Sequence, residues 1–159
     1  MLQLPPLSLY IHIPWCVRKC PYCDFNSHQA AAEIPEADYV RTLIADLRAD
    51  QHWAQQRKLH SIFFGGGTPS LFSAQAIDSI LNAAEQIIGF EQNIEITFEA
   101  NPGTFEQQKF ADFYSAGVNR LSIGIQSFNT SHLERLGRIH DGEQALRSIG
   151  TATVSYTHL

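Results

Sequence analysis

Leu7-Ser-Leu-Tyr-Ile-His-Ile13, then Pro14-Trp15, then Cys16-Val-Arg-Lys-Cys20-Pro-Tyr-Cys23: this passage decides how the rest of the chain is read. Its first part is rich in β-branched and aromatic residues and stops at a proline, which reads as a buried strand. The part that follows holds all 3 cysteines of the chain. An odd number of thiols packed so tightly makes a poor disulfide framework, which wants an even number spread widely enough to close loops. Such a set points to metal.

A Cys-x3-Cys-x2-Cys loop brings three thiolates close enough to hold three corners of an iron–sulfur cube while one iron keeps no protein ligand. Clusters used only for electron transfer normally take four cysteines. The missing fourth therefore suggests an open position for a substrate or cofactor, by the logic that separates catalytic from structural zinc. The competing reading on spacing is a zinc site completed by a histidine, with His12 and His28 near enough in sequence to supply it.

Outward from the cysteines the hydrophobic periodicity alternates between strand and helix. A helix is expected from Pro35 to about Gln56, with Tyr39, Leu43 and Leu47 on one face. Leu59 to Phe64 reads as a second strand closed by Gly65-Gly66-Gly67, and Ser73 as the N-cap of a helix that stops at Gly89. Asn93 to Phe98 is the third strand and Thr104 to about Ala116 the third helix. Leu121 to Ile125 is the fourth strand, with short helices at Thr130 to Leu136 and Gly142 to Ile149. This order predicts an α/β fold of βαβ units on a parallel sheet.

In a parallel sheet the C-terminal ends of the strands open on one edge, where ligands bind in barrels and open sheets alike. Here those ends run into the cysteine loop, Gly65-Gly66-Gly67-Thr68-Pro69, Glu99-Ala-Asn101-Pro102 and Gln126-Ser127. The glycine run lacks the Lys-Ser or Lys-Thr of a phosphate loop and is not G-x-G-x-x-G. Its plain reading is a tight turn. Its functional reading is close approach of backbone to a ligand, and its place on the cysteine rim favours the second.

Composition narrows the partners. The 159 residues are 44% hydrophobic and 17% charged, with 11 basic against 16 acidic groups and a formal charge of −5. A net acidic surface gives no general attraction for nucleic acid or an anionic membrane. Apolar stretches fall short of the roughly 20 residues a membrane-spanning helix needs, and no basic segment precedes the first of them as in a signal peptide. A cytoplasmic protein is expected.

Tyr10-Ile-His-Ile-Pro-Trp-Cys16 with Cys20 and Cys23, Gly65-Gly-Gly-Thr-Pro69, Glu99-Ala-Asn-Pro102 and Gly124-Ile-Gln-Ser-Phe128 together resemble the radical S-adenosylmethionine superfamily. Within it the chain is similar to the group related to oxygen-independent coproporphyrinogen III oxidase, over residues 2 to about 148. The resemblance implies the first four βα units of a partial, open (β/α)6 barrel. It implies a [4Fe-4S] cluster on Cys16, Cys20 and Cys23, and S-adenosylmethionine on the remaining iron. Cofactor contacts would come from Tyr10, Tyr22, Gly66, Gly67, Thr68, Glu99, Gln126 and Arg138. No catalytic side chain is assigned. In the oxidase a Gly and a further Cys usually follow the third cluster cysteine; here Asp24 and Phe25 stand there. That favours the heme-chaperone branch, which carries heme to an acceptor protein, over radical decarboxylation in porphyrin biosynthesis. It leaves open whether the acceptor sits at a membrane.

Further expectations concern single residues and the end of the chain. His12 is expected to pack beside its strand, Arg18 and Lys19 to face solvent, and Arg138 with His140 to be either a cofactor contact or a surface pair. The family continues past Ile149 with the rest of the barrel and a C-terminal domain carrying a heme-associated motif. Residues 151–159 do not match that continuation and are expected to be an irregular tail foreign to the family, leaving the fourth strand with an unpaired edge.

Overall fold

The computed structural model describes residues 3–30 and 33–156. Among these residues one sheet holds four strands, β1 (Leu7–Ile13), β4 (Leu59–Gly66), β5 (Phe90–Ala100) and β6 (Arg120–Ile123), all parallel and in that order across the sheet. A separate two-residue ladder pairs β2 (Trp15–Cys16) with β3 (His28–Gln29). The helices are α1 (Glu36–Asp50), α2 (Ala74–Ile87), α3 (Thr104–Ser115), α4 (Thr130–Arg135) and α5 (Gly142–Ser155). None of the described helices is long and apolar enough to cross a membrane.

Strand alternation sorts the two faces of the sheet. Ile11, Phe64, Phe98 and Leu121 lie in one register row and are all buried in the core with Ile77 and Ile80 of α2 and Phe110 and Phe113 of α3. The Phe98 and Phe113 rings lie 4.6 Å apart. Each fully buried side chain of this size contributes roughly 2–3 kcal/mol. The opposite face is more polar. Its row reads Tyr10, Phe63, Thr97, Arg120, with Ser8 and Ser61 hydrogen-bonded at 2.8 Å and Arg120 paired to Glu95 at 2.9 Å. An all-parallel sheet with one helix-covered face and one polar face is how a barrel wall distinguishes outside from inside.

Capping fixes how the helices start. Ser73 Oγ accepts from Ala76 N–H at the head of α2, while Ser73 donates through both its amide and its hydroxyl to the Glu36 carboxylate at the head of α1.

Several boundaries differ from the sequence expectation; the fourth strand, expected at Leu121 to Ile125, runs Arg120–Ile123 because the chain turns away from the sheet after Ile123. The first helix ends at Asp50; a 3₁₀ turn (Gln51–Ala54) follows, and Gln55 and Gln56 then take φ of 52° and 65°. The third strand begins three residues early, at Phe90. The expected irregular tail is the larger correction. α5 runs on through Ser155, and Tyr156 is buried against α3, its hydroxyl donating to the Phe110 carbonyl at 2.8 Å. Ala152 and Tyr156, four residues apart, bury together, and that packing overrides the weak helix propensity of Thr151-Ala-Thr-Val-Ser. Residues 157–159 lie outside the described residues.

Candidate metal and cofactor site

The cysteine loop leaves β1 at Pro14 and is tied back on itself. His28 N–H donates to the Pro14 carbonyl at 2.7 Å and Ala30 N–H to the Cys16 carbonyl at 2.9 Å, so both limbs of the loop meet at Cys16. Lys19 is exposed, as expected, and its ammonium also spans the loop, donating to the Phe25 and Ser27 carbonyls at 3.3 and 3.2 Å. All three thiols are free; Cys16 is buried and the other two are half-buried.

The glycine run seats this loop on the sheet. Gly67 N–H donates to the Ile13 carbonyl and Thr68 N–H to the Trp15 carbonyl, each at 2.7 Å. A Cβ on Gly67 would stand 2.5 Å from the Trp15 oxygen, and one on Gly66, at φ +112°, would stand 2.7 Å from the His12 ring. What demands glycine here is therefore the close approach of the chain's own first strand, while the same backbone forms part of the cavity wall.

One cavity of about 350 Å³ collects the four strand ends. It is lined by Cys16, Cys20 and Cys23, by Tyr22, Gly66, Gly67 and Thr68, and by Glu99, Gln126 and Arg138. Every residue that the sequence assigns to the site lies there except Tyr10. That side chain sits mid-strand on the polar face, its ring stacked on Phe63 and its hydroxyl 2.9 Å from His12 Nδ1. Tyr10 is still a neighbour of Glu99: its ring edge and the carboxylate both border the point where a Gly65 Cβ would stand.

Arg138 organises the cavity. One terminal nitrogen, Nη2, donates to the Asn101 side-chain oxygen and the Gly124 carbonyl, both at 2.7 Å. The other, Nη1, reaches Cys20 Sγ at 3.4 Å and the Tyr22 hydroxyl at 3.5 Å. Asn101 in turn donates to Thr68 Oγ1 at 3.3 Å. The ends of β4, β5 and β6 and the cysteine loop are thus joined through one guanidinium, so Arg138 is no surface ion-pair residue. Its Nε is buried without a partner among the described residues. Asn101, within the Glu99–Pro102 segment, was not singled out from sequence; its position at a strand end was the available signal.

Electrostatics follow from burial. Desolvation raises the Glu99 carboxyl above the usual carboxylate range, and the Gly66 N–H bond to it opposes the rise. Burial likewise raises the Tyr22 phenol, with Arg138 pulling it back. His140 is buried, and desolvation lowers it; Arg138 adds to the lowering, while the Ile125 carbonyl and Asp141 oppose it. The ring is therefore held neutral, and its contribution to stability is lost as pH falls through its depressed pKa.

Three free thiols lining one cavity, Cys16, Cys20 and Cys23, are a donor set that fits an iron–sulfur cluster. Both ring nitrogens of His12 are engaged, with Tyr10 and with the Asn26 carbonyl at 2.8 Å, and His28 is exposed in β3. The guanidinium hydrogen bond to Cys20 is the kind of contact that ligand sulfurs accept and that tunes a cluster.

A parallel sheet whose strand ends bring three thiols, a glycine run and a guanidinium into one cavity defines the class: the chain belongs to the radical SAM superfamily, which it matches over residues 10–155. Among curated proteins it is 59% identical to the heme chaperone HemW of Haemophilus influenzae, covering 98% of this chain and 42% of that protein. It is 54% identical to HemW of Escherichia coli, covering 96% of this chain and 40% of that protein. The chain thus spans about 40% of the length of these relatives. Among solved structures, the coproporphyrinogen III oxidase HemN of Escherichia coli, a radical SAM enzyme, superposes with a TM-score of 0.85 at 27% identity, over 96% of this chain and 35% of that one. The fold is therefore part of such a barrel. The radical enzyme OxsB, at 17% identity and TM-score 0.61, shares the fold.

Proposed function

We propose that the chain is the [4Fe-4S]- and S-adenosylmethionine-binding part of a cytoplasmic heme chaperone, which binds heme and hands it to an acceptor protein. In this reading residues 1–150 form the N-terminal part of the radical SAM core. The observation that carries it is the convergence of Cys16, Cys20 and Cys23 with four strand ends on one cavity, in a chain 59% identical to a heme chaperone. When bound, a reduced cluster supplies an electron to the sulfonium of S-adenosylmethionine. The three thiolates would hold iron. The Gly66–Thr68 backbone and Glu99 would receive the amino-acid end of the cofactor, Glu99 as the anionic partner of an ammonium group. Arg138 Nε, a buried donor, suits a carboxylate.

Protonation of Glu99 would remove that anionic partner. Cofactor affinity is accordingly expected to rise with pH through the raised Glu99 pKa. Titration calorimetry on wild type and Glu99→Gln checks this: the variant should bind more weakly and lose the pH dependence, and an unchanged profile would remove Glu99 from the site.

The second reading is oxygen-independent coproporphyrinogen III oxidation, favoured by the close superposition on HemN. A chimera separates the two. Placed in the Haemophilus influenzae heme chaperone in exchange for the matching segment, this chain is expected to support heme uptake and delivery to an apo-hemoprotein under anaerobic conditions. Coproporphyrinogen III should pass through unchanged. Decarboxylation by the chimera, absent from the host protein, would reverse the assignment.

A further inference from the structure

The backbone that carries Gln126 is strained. Ser127 N–H donates to the Ile125 carbonyl at 2.8 Å across a three-residue turn, with Gln126 at φ 67°. That is the positive-φ form of the γ-turn, the rare one. The other non-glycine residues at positive φ among those described, Gln55 and Gln56, do not line this cavity. Strain of this kind persists only where surrounding structure over-determines it.

His140 supplies that constraint. Its Nε2 lies 3.0 Å from the same Ile125 carbonyl, and because a carbonyl only accepts, Nε2 carries the proton. The residue is 5% exposed and its Nδ1 has no partner among the described residues, so the ring is committed to this single bond. The chain around it is rigid. Asp141 and Gln144 form a capping box at the head of α5, and Gly142 packs so tightly on this segment that a Cβ would collide with the Phe128 carbonyl. The Gln126 side-chain amide lies 3.4 Å from where a Gly124 Cβ would stand, on the side that Arg138 also occupies.

We propose that His140 is a positioning residue: by clamping the Ile125 carbonyl it holds Gln126 in its strained backbone and so presents the Gln126 amide to the cavity. The cavity's role as an S-adenosylmethionine site rests on the function proposed above; the clamp itself does not.

Two substitutions test it, His140→Phe, which keeps a ring without the donor, and Gln126→Gly, which removes the strain. By amide hydrogen exchange in the ligand-free chain, H140F is expected to speed exchange at Ser127 about tenfold. In the Q126G background the same change should alter exchange little. Cofactor affinity of the reconstituted chain should follow the same pattern. Unchanged Ser127 exchange in H140F, or equal effects in both backgrounds, would overturn the clamp. A wild-type chain that binds no S-adenosylmethionine while Ser127 responds as expected refutes the cofactor reading and supports the clamp. If H140F does not fold, H140F/Q126G is expected to fold, and its failure would assign His140 to packing alone.

Discussion

Replacing any one of Cys16, Cys20 and Cys23 with Ala is expected to abolish the iron–sulfur cluster. Three thiolates are the smallest set that can hold three irons of a cube, and the chain has no fourth cysteine to replace a lost one. Loss of one ligand leaves two, attached through a loop whose geometry depends on Cys16 at its base. The fold should survive, since the sheet core contains none of the loop residues beyond Trp15. After anaerobic reconstitution, wild type is expected to hold about four irons and four acid-labile sulfides per chain. The variants should hold neither while keeping the wild-type circular dichroism spectrum. A variant that retains a full complement would show its thiol is not a ligand, and tight zinc with no sulfide in wild type would replace the cluster by a structural zinc site.

Arg138→Ala is expected to cost the second-largest effect. The guanidinium bridges Cys20, Tyr22, Asn101 and Gly124, so its loss frees the cysteine loop from the ends of β5 and β6 and leaves buried acceptors unpaired. Hydrogen bonds to a charged group contribute about 1.5–3 kcal/mol, so cofactor affinity should fall by about 10- to 150-fold. Arg138→Lys should recover little of it, because a single ammonium cannot reproduce a planar fork that reaches four partners. Isothermal titration of the reconstituted variants checks both, with melting temperature reporting any loss of fold. Affinity within twofold of wild type in Arg138→Ala would mean that the network is dispensable.

Much of this site was legible in the sequence because its residues sit at strand ends, and strand ends of a parallel sheet are fixed by periodicity alone. Thr68 and the three cysteines follow strand ends as the alternation predicts, while Glu99 lies within the last residues of β5 rather than past it. Tyr10 did not, because a residue's place within a strand decides which edge it reaches, and Tyr10 stands four residues into a strand of seven. The short β2–β3 ladder was invisible, since two-residue strands carry no period. Nor could sequence show that the glycines yield to Trp15 and His12: that is a contact across the fold. Tyr156 was misread for the same reason, its helix being set by packing on Phe110 and Tyr114 rather than by propensity.

In the proposed function this cavity holds a cluster with one iron open to S-adenosylmethionine. Electron paramagnetic resonance of the dithionite-reduced, reconstituted chain, with and without saturating S-adenosylmethionine, tests it directly. A cluster signal whose line shape and g-values shift on adding the cofactor is the predicted result. A full cluster in folded protein whose spectrum does not change would contradict it.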